Sequence, residues 1–235
     1  MGRYSKIGIE YVNHNLIAKM DNISNDSLSI LNYFPSLIYT IEKPEFLDNL
    51  KLVFKTYVDK LKKNQNPEHP IMTDNLLNEE SIMDFMLYAS ATGWNILQSQ
   101  GYKMDDKYVS YESIWGQQYN KKSQMEQHVH NNGVQLVGFY FLDCPEKSPK
   151  IVIHDPRPGK VQINLFETNI NDATPASNAI NFQPKPGMFF FSNAWLPHSF
   201  TRHESNKPFN FIHFNLTVIP NPNFGKEQST VAEII

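Results

Sequence analysis

Eight histidines punctuate the 235-residue chain, and two of them stand one residue apart in Gln127-His128-Val129-His130. A neutral imidazole offers a lone pair to borderline metal ions, so two on one face make half of a metal site. In extended backbone successive side chains alternate, and a spacing of two turns both rings the same way. The motif runs through Asn131-Asn132-Gly133 into Val134–Leu142, rich in β-branched and aromatic residues, and the pair is expected on the leading edge of that strand. The third donor is expected from His198, in Trp195-Leu196-Pro197-His198-Ser199-Phe200. Room for four or five strands lies between His130 and His198, enough for an antiparallel barrel to bring the third ring back beside the first two. Cys144, the one cysteine, supplies no thiolate to that face. Three imidazoles with open positions fit iron(II), copper, zinc or nickel, and open positions point to catalysis rather than a closed structural site. Asp155, in Ile153-His154-Asp155-Pro156-Arg157, is the rival carboxylate. It is read three ways: a ligand, an acceptor that orients a histidine, or a turn residue ahead of Pro156.

The elements that must position these residues fall into two halves. After a short β-prone run at 33–41, Pro44 sits where a first helical turn tolerates proline. Phe46, Leu47, Leu50, Leu52, Val53, Phe54, Tyr57, Val58 and Leu61 then recur at helical spacing, with Lys60, Lys62 and Lys63 closing the helix. A second helix is expected over Ile82–Gln100, ended by Gly101. From there the pattern is strand-like: Tyr108–Trp115, Val134–Leu142, Ile151–Ile153, Val161–Leu165, Ala179–Phe182, Met188–Phe191, Ser199–Arg202 and Phe209–Val218. Asn132-Gly133, Pro156 to Gly159, Pro184-Lys185-Pro186-Gly187 and Asn206-Lys207-Pro208 supply turns between them. The expected fold is mainly β, a cupin-like jelly roll with N-terminal helices packed on one sheet. Residues 1–30 read as an extension and 31–235 as a single domain, with a helical preface at 44–101 and a jelly-roll core at 108–219.

Bulk properties narrow the function. Apolar residues make up 40% of the chain and aromatic residues 13%, enough for a sizeable core. A net charge of −3 argues against a nucleic-acid track or an anionic membrane surface. No run approaches the ~20 apolar residues of a membrane span, and the first twenty residues carry no signal-type apolar core. With one cysteine, no disulfide closes within the chain. A cytoplasmic setting is expected.

Gln127-His128-Val129-His130 is followed by Gly138-Phe139-Tyr140-Phe141-Leu142, Ile153-His154-Asp155-Pro156-Arg157 and Pro186-Gly187-Met188-Phe189-Phe190-Phe191, with His198 behind it and Phe214-Asn215 ending the last strand. Together they resemble the iron(II)- and 2-oxoglutarate-dependent oxygenases, above all a branch found in bacteria and phages. The resemblance covers roughly 115–218. It implies a double-stranded β-helix, Fe(II), 2-oxoglutarate and O₂ as co-substrates, succinate and CO₂ as products, and hydroxylation of a small-molecule or peptide substrate. For a phage-encoded chain the setting would be the host cytoplasm. His128, His130 and His198 correspond to the metal ligands, with His130 where the superfamily usually carries a carboxylate. The superfamily often anchors the far carboxylate of 2-oxoglutarate on a basic residue about ten positions past the last histidine. Lys207 shares strand parity with His213 and Asn215 and is one candidate; Arg157 and Arg202 are others. Tyr119 and Tyr140 offer hydroxyls, and His213 and Asn215 would point into the barrel by alternation.

Two other classes compete. A cupin of another chemistry, such as a thiol dioxygenase or an isomerase, places a glutamate four or five residues after His-X-His, where this chain has Val134 and Gln135. A cupin also sets its last histidine a few residues after Pro-X-Gly, whereas Gly187 precedes His198 by eleven. The other is a non-enzymatic jelly-roll binding or virion protein. Oligomeric state is open, a homodimer included.

Overall fold

The computed structural model describes residues 9–12, 15–18, 34–61 and 70–224, in two compact units, Met1–Pro35 and Ser36–Ile235. In the first, β1 (Ile9–Val12) and β2 (Asn15–Ala18) form an antiparallel pair; the remainder of the 1–30 extension lies outside the described residues, as do Lys62 and Lys63. The second unit holds β3 (Ile38–Glu42), α1 (Leu47–Leu61), β4 (Ile71–Met72), α2 (Met83–Ser99), β5 (Lys107–Tyr119), β6 (Met125–His128), β7 (Val134–Asp143), β8 (Ile151–His154), β9 (Ala179–Phe182), β10 (Met188–Asn193), β11 (His198–Phe200) and β12 (Phe209–Pro220). A six-stranded sheet runs β3-β10-β7-β12-β5-β4 and a four-stranded sheet β6-β11-β8-β9. All their pairings are antiparallel.

Both helices follow from apolar spacing. In α1, Leu50, Val53, Phe54 and Val58 are buried, the i, i+3, i+4, i+8 stripe of a helix lying on a surface. In α2 the buried set is Phe85, Met86, Ala89, Gly93, Ile96 and Leu97. These faces pack on one side of the large sheet, against Leu136, Tyr140, Phe189, Phe191, Phe214 and Leu216. The opposite side faces the small sheet and carries Val137, Phe139, Phe141, Phe190, Phe209 and Phe211, packed with Ile151, Ile153 and Phe200. The large sheet is therefore the middle of three layers. That is why β7 and β10 read as nearly unbroken apolar runs: alternate residues serve two different cores.

Three differences from the sequence reading have physical causes. His128 closes β6 in the small sheet rather than opening β7. The left-handed residues Asn132 (φ 57°) and Gly133 (φ 84°) turn the chain between sheets, a conformation that asparagine and glycine tolerate. Val161–Leu165 is not a strand: Pro158–Gln162 is a 3₁₀ turn, and Val161, Ile163 and Leu165 are exposed. Their alternation has no partner strand to pair with. Finally, β5 runs on through Tyr119, past the expected end at Trp115, because β12 pairs with it along its whole length. No helix among the described residues is long and apolar enough to cross a membrane.

Candidate metal centre

β6 and β11 bring the first and third histidines together directly, since His198 is the cross-strand partner of His128. His130 lies just beyond β6, held by its backbone N–H donating to the Ala194 carbonyl at 2.9 Å. The ring centroids are 4.5 Å apart for His128 and His198, 5.0 Å for His128 and His130, and 5.3 Å for His130 and His198. One nitrogen from each ring lies within 4.8 Å of the others, and this is the one such group of three metal-ligating side chains among the described residues.

Hydrogen bonding sets the tautomers. His128 Nδ1 donates to the Glu126 carbonyl at 2.9 Å and His198 Nδ1 to the Leu196 carbonyl at 3.0 Å. A carbonyl only accepts, so each proton sits on Nδ1 and each Nε2 keeps its lone pair, as a metal ligand requires. Nε2 of His198 and Nε2 of His130 are buried without a partner. Burial away from water pushes the pKa of both His130 and His198 down to about 4, with the neighbouring imidazoles adding to the shift. Both rings are thus neutral at pH 7, the ligating form. Three converging imidazoles, two of them neutral with buried Nε2 atoms that no side chain or backbone group meets, fit a divalent transition metal.

The surroundings are arranged in rungs across β7, β12 and β5. His213 is flanked by Phe139 and Trp115, and Asn215 by Val137 and Ser113. His213 lies 5.4 Å from His130 and 4.5 Å from Phe139 between ring centroids, and full burial holds its pKa well below the usual histidine range. Asn215 sits beside His130 and opposes the lowering of its pKa, while its Nδ2 donates to Ser113 Oγ at 3.0 Å. His213 and Asn215 therefore stand where alternation put them, against the triad.

The other expected residues stand elsewhere. Tyr140 belongs to the helix-facing core, 5.3 Å from Phe85 between ring centroids, and its hydroxyl donates to the Lys43 carbonyl at 2.7 Å. One residue of strand parity put it on the wrong side of the sheet. Tyr119 faces inward but three rungs beyond Asn215, packed edge-on against Phe200, Phe209 and Phe211. Lys207 precedes β12 and is exposed, with Phe209 and Phe211 on the strand between it and His213 filling the interior. Arg202 is exposed on the same connection. Asp155 accepts from Arg157 at three donors, N at 3.0 Å, Nε at 2.9 Å and Nη2 at 2.7 Å, and pairs with Lys160 at 3.2 Å. Asp155 and Arg157 thus close a turn on each other, the third of the sequence readings. Trp195 is half exposed. Trp115, Gln117 and Ser192 border the site from the inner face of the large sheet. For Gln117 and Ser192, only the register of paired strands shows this.

Comparison with known proteins defines the class first. The three-layer arrangement is that of the double-stranded β-helix 2-oxoglutarate oxygenases. The chain is similar to a Pseudomonas putida prolyl-4-hydroxylase at 8% identity, covering 77% of this chain and 92% of that one with a TM-score of 0.52. It is similar to the epimerase SnoN in complex with Fe³⁺, α-ketoglutarate and nogalamycin RO at 10% identity, covering 82% and 84%, TM-score 0.51. HygX from Streptomyces hygroscopicus, with nickel and 2-oxoglutarate bound, gives 9% identity, 77% and 83% coverage and a TM-score of 0.50. Residues 113–215 match the family described as "Putative 2OG-Fe(II) oxygenase". That family uses Fe(II), 2-oxoglutarate and O₂. No curated protein is similar to the chain.

Proposed function

We propose that the protein is an Fe(II)- and 2-oxoglutarate-dependent dioxygenase that hydroxylates a small-molecule or peptide substrate. The observation that carries this reading is the convergence of His128, His130 and His198, with backbone carbonyls leaving the Nε2 lone pairs of His128 and His198 free. When bound, iron and keto acid supply the oxidising power: O₂ is reduced, the keto acid is cleaved to succinate and CO₂, and a substrate C–H bond is oxidised.

The chain's own contribution is positioning and a dry setting. His128, His130 and His198 would hold the ion, two of them locked in rotation by backbone carbonyls. A ligating imidazole brings no negative charge, so three of them leave the full charge of a divalent ion to be met by an anionic co-substrate. His213 and Asn215 border the open side of the triad as hydrogen-bonding groups for that co-substrate. Phe139, Phe190 and Phe200 wall the interior against water. A prolyl hydroxylase and an epimerase share the fold, so the fold leaves the outcome at the substrate open; hydroxylation is proposed as the simplest use of the site.

The test is direct. Under anaerobic conditions, protein with Fe(II) and 2-oxoglutarate should develop the weak visible absorption of a metal–keto-acid chelate, and His198→Ala should abolish it. Succinate should then form on admission of O₂. A parent protein that binds Fe(II) yet shows neither absorption nor succinate would overturn the proposal.

A further inference from the structure

We infer that the far carboxylate of the keto acid is received by neutral donors, the Gln117 amide with the Trp115 indole and the His213 imidazole, and by no lysine or arginine. This rests on the function proposed above and names the residues that select its co-substrate.

The inner face of the large sheet is apolar except for one band beside the triad. In that band Gln117, Ser192, His213 and Asn215 are each more than nine-tenths buried. Each has an atom without a hydrogen-bond partner: Gln117 Oε1, Ser192 Oγ, both ring nitrogens of His213, and Asn215 Oδ1; Trp115 Nε1 is buried and unpartnered as well. Buried polar atoms are nearly always paired, and a cluster of unpaired ones marks a place that a ligand or ordered water completes. This cluster is next to the metal ligands, and the core around it is apolar, dominated by Phe139, Phe141, Phe190, Phe200, Phe209 and Phe211.

Register gives the depth. Trp115 faces His213 across the β5–β12 pair, with ring centroids 4.2 Å apart, and Gln117 faces Phe211 one rung deeper. One rung is two residues, about 6.6 Å along a strand. A keto acid chelated at the triad carries its second carboxylate three carbons beyond the chelating atoms, a reach of about that length. Past Gln117, Phe209, Phe141 and Tyr119 close the interior.

Charge gives the character of the site. Among the described residues no lysine or arginine is buried. The indole N–H donates only, and a neutral imidazole donates from one nitrogen. The ends of the Gln117 amide exchange by a half-turn, so an N–H can take the place of the unpartnered oxygen. Hydrogen bonds to an ionised acceptor are the strong ones, more so in apolar surroundings, and they are sufficient here without a cation.

The experiment titrates the Fe(II)-loaded full-length chain anaerobically with 2-oxoglutarate and with 2-oxobutyrate, which has the same keto-acid head and no far carboxylate, and reads the chelate absorption. The parent should bind 2-oxoglutarate at least about tenfold more tightly, as hydrogen bonds to a charged group warrant. Gln117→Leu and Trp115→Phe should each remove most of that preference and leave 2-oxobutyrate unchanged. Gln117→Glu, nearly the same shape with a negative charge, should weaken 2-oxoglutarate further, and Lys207→Met should change neither. Loss of the preference in Lys207→Met, or its survival in all three other variants, would overturn the neutral-donor site, as would equal binding of both acids by the parent. A parent that chelates neither acid would instead overturn the proposed function.

Discussion

Asp155 illustrates how a carboxylate expected as a rival ligand can be committed elsewhere. Arg157 beside it, with Lys160, holds its carboxyl well below the usual carboxylate range. The folded pKa is depressed, so the unfolded chain binds the proton more readily and the ion pair stabilises the fold above the ordinary carboxyl pKa. That contribution drains away as pH falls below about 4. Arg157 is largely exposed, which screens the pair, and Asp155→Asn should cost about 1–2 kcal/mol at neutral pH. In denaturant melts the gap from the parent should narrow as pH drops below about 4. Fe(II) affinity should stay unchanged in the same variant; a tenfold loss would make Asp155 a ligand or its support. The convergence of the three histidines was legible because two imidazoles at a spacing of two on extended chain share a face. Gln117 and Ser192 were not, since glutamine and serine in a strand announce nothing until pairing shows them facing a triad.

At the scale of elements, β7 does two jobs with alternate residues, and its one glycine marks the tightest spot. A Cβ on Gly138 would lie 2.0 Å and 2.1 Å from the Phe214 ring carbons Cε2 and Cζ. Phe214 is fully buried and packed against Phe85 and Phe191, so it has little room to retreat. Gly138→Ala should therefore destabilise by about 1–3 kcal/mol through overpacking, seen as a lower denaturation midpoint at unchanged slope. An unaltered midpoint would mean the ring swings freely. Legibility at this scale followed burial. The helices, β7, β9 and the start of β12 show strong apolar periods and were read within a residue or two. Val161–Leu165 carried the same alternation without a partner, and the turn at Asn132-Gly133 left His128 in the other sheet with His130 just beyond it. Local pattern reports what a segment could bury, and pairing decides what it does bury.

At the scale of the molecule, the middle sheet separates a stabilising layer from a chemical one. On the helix side Phe85 stacks on Phe189 at 5.2 Å between ring centroids and meets Phe46, Tyr140 and Phe214 edge-on. On the other side Phe139 lies 5.8 Å from His198 and 4.5 Å from His213 between ring centroids. Truncating either ring removes a comparable buried volume, so Phe85→Ala and Phe139→Ala should each cost about 3–5 kcal/mol by denaturation. Their effects on the site should diverge. Phe85→Ala removes nothing that touches the triad, and below its unfolding transition it should form the Fe(II)–keto-acid chelate at the parent's ligand concentration. Phe139→Ala frees two imidazoles of a packing wall and admits water, so its chelate should form about tenfold or more weakly, in the range set by loss of support around a metal site. Equal weakening in both variants would show that the two layers act as one body, with site geometry depending on the helical core as much as on the barrel interior.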